Sequence, residues 1–185
     1  MAQLDGPRAL RPEEYSSALG LINSALRPNG PPRILEEYPL VLGKENLENM
    51  RVIVKGKEVL SHAAIYFSKL RAGDLFFKVG GVGSVATHPA YRGQGLASAV
   101  IRDCIEVMQK TECHLSVLWT HRYDFYRNLG YETAGSEYLF RARATDFAQI
   151  QCDCKMVPYH PRYLPEVIRI HEREVFRTER TRREY

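Results

Sequence analysis

The chemistry in this chain is concentrated in one segment, Gly83-Ser84-Val85-Ala86-Thr87-His88-Pro89-Ala90-Tyr91-Arg92-Gly93-Gln94-Gly95-Leu96-Ala97. A β-rich run passes here through a glycine-rich loop into the start of a helix. The first N–H groups of a helix have no internal partner and sit at the positive end of its macrodipole, so such a junction attracts anions. Gly93 and Gly95 let the backbone approach a phosphate oxygen without an intervening side chain, and Arg92 adds a fixed positive charge. A pyrophosphate suits that combination. An ordinary strand-to-helix turn would carry similar glycines. The segment is not a Walker loop, because no Gly-Lys-Ser/Thr follows, and it lacks the third glycine and the following acid of a dinucleotide fingerprint.

The elements around this segment must position it. Arg8-Ala9-Leu10-Arg11-Pro12 reads as a short strand stopped by proline, and Glu13 to Leu26 as a helix, with Tyr15, Ala18, Leu19, Ile22 and Leu26 at helical spacing. After the turn chemistry of Pro28-Asn29-Gly30-Pro31-Pro32, Ile34 to Leu42 reads as a short helix or an irregular segment. Val52-Ile53-Val54, the Lys55-Gly56-Lys57 turn and Val59 to Leu70 form a hairpin. Ala72-Gly73-Asp74 then turns into a strand from Leu75 through Thr87. The three glycines within Gly80-Gly81-Val82-Gly83 argue for a bulge or for a ligand close against the backbone.

Gly95 to Lys110 reads as an amphipathic helix, with Leu96, Val100, Cys104, Val107 and Met108 on its apolar face. His114 to Trp119 reads as a short buried strand and Tyr123 to Leu129 as a short helix ended by Gly130. Tyr131 to Ala134 and Tyr138 to Ala144 read as a final pair of strands. The expected class is α/β, with a mixed sheet flanked by helices.

Composition narrows the function classes. Hydrophobic residues are 44% of the chain and charged residues 26%, far from the regime of disorder, so a packed fold is expected. The surplus of 26 Lys and Arg over 22 Asp and Glu owes much to arginines between Arg169 and Arg183, and the bulk of the chain is near neutral. No basic stripe interleaved with aromatics precedes residue 160, which argues against a nucleic-acid partner. The run Arg177 to Arg183 alternates with Glu179 and reads as the solvated face of a continuing amphipathic helix rather than a nucleic-acid arm.

No apolar run approaches the ~20 residues that span a bilayer, and no signal peptide is evident, so no membrane partner and a reduced, cytoplasmic setting are expected. The spacing Cys152-x-Cys154 is too short for a usual zinc pair, and no metal is expected.

The loop resembles the signature of the GNAT superfamily of acyl-CoA-dependent N-acyltransferases: Arg or Gln, two residues, Gly, one residue, then Gly or Ala. Arg92-Gly93-Gln94-Gly95-Leu96-Ala97 matches it, preceded by Val85-Ala86-Thr87-His88-Pro89-Ala90-Tyr91. Downstream, Phe125-Tyr126-Arg127-Asn128-Leu129-Gly130-Tyr131 is similar to the short helix and turn that close the acyl-CoA cleft in that superfamily. The resemblance covers residues 8 to 144. It implies a splayed, mostly antiparallel sheet in a GNAT-like fold, with acetyl-CoA as cosubstrate and a small-molecule or peptide amine as acceptor. It also implies that Val85, Ala86 and Thr87 offer main-chain groups to the pantetheine arm and the acyl carbonyl. Arg92, Gly93, Gln94, Gly95, Leu96 and Ala97 would bind the pyrophosphate. Tyr126 would donate a proton to the departing thiolate, a role that suits a phenol of pKa ~10. The other reading of Tyr126 is a core aromatic with a tethered hydroxyl.

The base that would neutralise the amine is not named by the sequence; His62, His121, Glu36, Glu37 and Asp124 are candidates by residue type. A non-catalytic acyl-CoA-binding module or sensor is the alternative function, and self-association into a homo-oligomer is compatible with the chain. The motif wording resembles most the branch that includes the enhanced-intracellular-survival aminoglycoside acetyltransferases, in which further domains follow the first. Residues 1–145 would be the acyltransferase domain. In residues 146–185, a linker and tail, Lys155-Met156-Val157-Pro158, the segment His160 to Pro165 and a helix through Glu174 resemble the opening of a second acyltransferase-like domain; either that domain is cut short at Tyr185 or the tail packs differently. In that branch the free C-terminal carboxylate acts as the base, which a chain ending at Tyr185 would not supply.

Overall fold

A computed structural model describes residues 3–136, 138–147, 153, 155 and 157–185. Three long strands form its frame: β2 (Met50–Lys55), β3 (Glu58–Ala72) and β4 (Leu75–Thr87), joined in antiparallel succession by tight turns at Gly56 and Gly73. β1 (Leu4–Ala9) pairs antiparallel with β2 at one edge, and β5 (Leu115–Val117) pairs parallel with β4 at the other. The order is β1-β2-β3-β4-β5, and β6 (Phe176–Glu179) joins the far end of β3. The sheet is mixed and mostly antiparallel, flanked by helices, in the class the sequence implied.

The two faces of the sheet carry separate cores. On one face α1 (Tyr15–Leu26) and two single-turn helices, α2 (Ile34–Glu37) and α3 (Pro39–Leu42), bury Ile22, Ile34 and Leu42 with Val52, Val54 and Ala64. On the other, α4 (Leu96–Lys110) lays Leu96, Val100, Ile101, Cys104 and Met108 against Ile53, Leu60, Ile65 and Val82. Spacings of three and four residues put these α4 side chains on one stripe. Arg51 of β2 pairs with Asp103 of α4, which fixes the helix along the strand. Gly80 has a packing reason: a Cβ there would stand 2.2 Å from the Met108 sulfur, so the glycine lets α4 lie close to β4.

Several sequence expectations are corrected. The first strand is Leu4–Ala9, not Arg8 to Pro12; Pro12 begins a 3-10 turn instead. The strand expected over His114 to Trp119 is only Leu115–Val117. It is half exposed rather than buried, because it lies at an edge of the sheet. The strands expected over Tyr131 to Ala134 and Tyr138 to Ala144 do not form among the described residues. Tyr138 and Phe140 are 78% and 88% exposed and find no apolar surface to cover. The tail forms a helix, α6 (Leu164–Glu172), but Arg177 to Arg183 does not continue it. Phe176–Glu179 is the strand β6, in register with Lys69 to Ala72 of β3. Cys152 and Cys154 lie outside the described residues.

Candidate active site

β4 carries the backbone of the site. Its outer edge pairs with β5 only at Val79, Gly80 and Gly81, opposite Leu115, Ser116 and Val117. Beyond Gly81 the two strands part, and among the described residues no strand covers that edge of β4 from Val82 to Thr87. On the β3 side the ladder continues, but with a bulge. Ala64 pairs with Gly83 and His62 with Ala86, so Ser84 and Val85 together oppose Ala63. Ser84 takes φ +52°, the left-handed region that serine rarely adopts. Of the three residues expected to offer main-chain groups to the pantetheine arm and the acyl carbonyl, the side chain of Val85 packs against the α4 core, that of Ala86 is buried in the opposite core, and the Thr87 hydroxyl stands 3.0 Å from that of Ser61.

The chain leaves β4 through a 3-10 turn (Pro89–Tyr91) and enters α4 at Gly95, which has φ +78° and gives the helix no side-chain cap. Gly93 has φ +76°, and a Cβ at either glycine would meet nothing within 4 Å. The helix start is therefore open, uncapped and lined by bare backbone, as an anion site requires. Leu96 anchors the helix in the core, while Gly93, Gln94 and Gly95 are exposed. Arg92 is exposed, and its Nε donates to the Thr87 carbonyl at 3.3 Å, holding the guanidinium beside the strand end. These residues fit a pyrophosphate in charge and access. Among the described residues no group of three or more His, Cys, Asp or Glu could hold a metal ion.

Tyr126 lies on α5 (Tyr123–Arg127), across the opening. The amides of Leu129 and Tyr131 both donate to its carbonyl, at 2.9 and 3.2 Å, and Gly130 at φ +91° turns the chain back. Tyr131 anchors the turn to β5 through its hydroxyl, 2.7 Å from that of Ser116. The Tyr126 ring sits edge-on to those of Phe125 and Tyr131 and packs against the α4 core, as Val85 does. Burial, reinforced by Tyr131 and opposed by the Arg122 guanidinium, pushes the Tyr126 phenol above its ordinary range, so it keeps its proton at neutral pH. Among the described residues its hydroxyl makes no hydrogen bond.

Tyr126 lines a cavity of about 940 Å3 on the sheet face around the β4/β5 pair, together with Gly81, Val117 and Tyr131. Arg92 to Ala97 do not line it. The structure thus places the glycine loop and the phenol at different points along β4, with the unpaired edge between them.

The same cavity has a wall that the sequence did not reveal. Phe176, Thr178 and Glu184 reach it from the tail, and Tyr66 of β3 donates its hydroxyl to the Glu184 carboxylate at 2.5 Å. Burial, with Glu184 behind it, pushes Tyr66 up to about 12, and the bond from Tyr66 lowers Glu184. The partners are 118 residues apart, and no local pattern announces them.

The bases suggested by type are not in the cavity. Glu37 pairs with Arg27, Asp124 is exposed beside Arg127, and Glu36 and His121 are exposed. His62 is fully buried in the sheet and has no access to an incoming amine.

Residues 7–134 match the family model of the acetyltransferase (GNAT) domain. The chain belongs to the GNAT family.

Solved structures agree with the GNAT fold. An acetyltransferase from Trypanosoma brucei superposes with a TM-score of 0.57 at 20% identity, over 77% of this chain and 100% of that one. A GNAT family acetyltransferase from Brucella melitensis, solved in complex with acetyl-CoA, gives 0.57 at 22% identity over 72% and 84% of the two chains. A GCN5-related N-acetyltransferase from Kribbella flavida gives 0.60 at 21% identity over 71% of this chain and 33% of that one. The match likewise covers only 32% of an Enterococcus faecalis protein. A comparison with curated proteins finds no match. At these identities the likeness is one of fold. No helix among the described residues is long and apolar enough to cross a membrane.

Proposed function

We propose that this GNAT domain binds acetyl-CoA, or a close acyl-CoA relative, and transfers the acyl group to a primary amine by direct attack. The observation that carries the proposal is the open start of α4, where two glycines at positive φ precede an uncapped first turn at the end of an unpaired strand edge. In this reading Arg92, Gly93, Gln94, Gly95, Leu96 and Ala97 hold the pyrophosphate. The backbone of Val85, Ala86 and Thr87 holds the pantetheine arm, with the Val85 amide donating to the acyl carbonyl. The neighbour solved with acetyl-CoA is consistent with it.

As the amine nitrogen bonds to the acyl carbon and the carbon–sulfur bond breaks, Tyr126 supplies the proton that the thiolate takes. Its burial supports that role, since a protonated phenol held beside an apolar wall is ready to donate. The amine's own proton leaves to water or to a base yet to be assigned.

We also infer that the chain is of the enhanced-intracellular-survival type, from the wording of its two motifs. Residues 1–145 then form the acyltransferase domain, and residues 146–185 a linker and tail resembling the start of a second such domain. The family match ending at residue 134 supports a boundary in this region.

Mass spectrometry of ligand carried through purification, followed by a thiol-release assay against amines, peptides and aminoglycosides, tests the reading. Release of free CoA with at least one amine is expected. Acetyl-CoA binding without release for any acceptor would replace the enzyme with a sensor.

A further inference from the structure

His62 is fully buried in β3, opposite the bulge of β4. Its Nδ1 lies 2.8 Å from the carbonyl oxygen of Ser84. A carbonyl can only accept, so Nδ1 carries the hydrogen, and Nε2, which has no partner among the described residues, is the bare nitrogen of a neutral ring. Burial lowers the pKa of this histidine to about 4, which keeps the ring in that neutral, single-donor form throughout the neutral range.

The acceptor of this bond is the carbonyl of the residue at φ +52°. A β-bulge removes Ser84 and Val85 from regular ladder pairing, and a non-glycine residue in the left-handed region persists only where its surroundings hold it. The His62 ring supplies that hold. The Ser84 carbonyl and the Val85 N–H belong to one planar trans peptide unit and point in opposite directions. Anchoring the oxygen on His62 therefore sets the direction of the Val85 amide. Donation to the carbonyl also polarises the peptide unit and makes its N–H a stronger donor.

We propose that His62 is a positioning residue for acyl transfer: through the Ser84 carbonyl it aims the Val85 amide at the acyl carbonyl. The inference rests on the assignment of the Val85 amide made above. It gives His62 a role as a hydrogen-bond donor inside the sheet, where a histidine of purely packing function would serve equally well as a leucine.

Two substitutions separate donor from filler. His62→Leu fills the space without a donor, and His62→Asn places an amide N–H close to the position of Nδ1. Backbone 1H-15N spectra are followed during acetyl-CoA titration of the wild-type chain and of both variants, alongside steady-state kinetics. In the wild type the Val85, Gly93 and Gly95 amides all shift. In His62→Leu the glycines still shift, the Val85 response is lost, and kcat falls roughly 10- to 100-fold, less than the ~100- to 1000-fold of removing an oxyanion donor because the amide is misaimed rather than absent, while the acetyl-CoA Kd changes by less than about threefold. His62→Asn restores the Val85 response and most of kcat.

A wild-type Val85 response in His62→Leu, or equal impairment of Leu and Asn variants, would overturn the proposal. Should both variants fail to fold, the 15N shifts of the wild-type ring decide: a hydrogen on Nδ1 supports it and one on Nε2 overturns it. A wild type in which none of the three amides responds to acetyl-CoA would instead overturn the cofactor-site reading, and this inference with it.

Discussion

The Tyr66 hydroxyl, midway along β3, donates to the carboxylate of Glu184 at 2.5 Å and so ties the tail to the sheet face that carries the cavity. The four-residue pairing of β6 with Lys69 to Ala72 supports the same attachment. Burial is the larger cause of the raised Tyr66 phenol, and Glu184 adds to it both as hydrogen-bond partner and as charge, so Glu184→Gln is expected to lower the Tyr66 pKa from about 12 part of the way toward the ordinary tyrosine range. Ring 13C shifts of Tyr66 followed against pH would show it, and an unmoved titration would mean the contact does not persist in solution.

Gly95→Val is expected to weaken acetyl-CoA binding more than Arg92→Ala. The φ of +78° strains any β-branched residue, and the added side chain would stand where backbone N–H groups must meet the phosphates. Arg92 is one contributor among several donors, and its loss should cost on the order of tenfold in Kd, within the span of a charge-assisted hydrogen bond. Calorimetric titration measures both. Equal small losses would move the phosphate site away from this loop.

Stability should fall between pH 7 and pH 5 in a way that depends on His62. The buried ring has its pKa lowered to about 4, whereas in the unfolded chain it titrates near its ordinary 6.5. As pH drops below 6.5 the unfolded chain takes up a proton that the folded chain refuses. The stabilisation is complete above 6.5 and is lost as pH falls toward 4. Linkage gives a loss of about 2 kcal/mol between pH 7 and pH 5. Urea unfolding at the two values measures it, and His62→Asn should remove most of the difference.

Tyr126→Phe keeps the ring contacts with Phe125 and Tyr131 but removes the proton. Turnover is expected to fall by roughly 100-fold while acetyl-CoA affinity and melting temperature change little. A variant that melts earlier at unchanged turnover would make Tyr126 a packing residue.

Much of this was legible locally. The period of α4 sets which residues it buries, and the turns at Gly56 and Gly73 set the hairpins, because each depends on neighbours in sequence. The glycine loop could be read for the same reason. His62 could not: a histidine within a β run reads as a surface residue, and only the bulge opposite reveals its bond to Ser84. Nor could the tail wall, which depends on the pairing of residues more than a hundred positions apart, such as Lys69 with Glu179. The aromatic residues from Tyr131 to Ala144 misled because they have strand composition, whereas a strand also needs a partner edge and a surface to cover.

The central claim is tested most directly by thermal unfolding with acetyl-CoA and, in parallel, with an acetylated pantetheine fragment that lacks the pyrophosphate. At ~100 times its Kd, acetyl-CoA should stabilise the fold by about 2.7 kcal/mol and raise the melting temperature by roughly 5–10 °C, and the fragment at the same concentration should do far less. A melting curve that millimolar acetyl-CoA leaves unmoved would contradict the account.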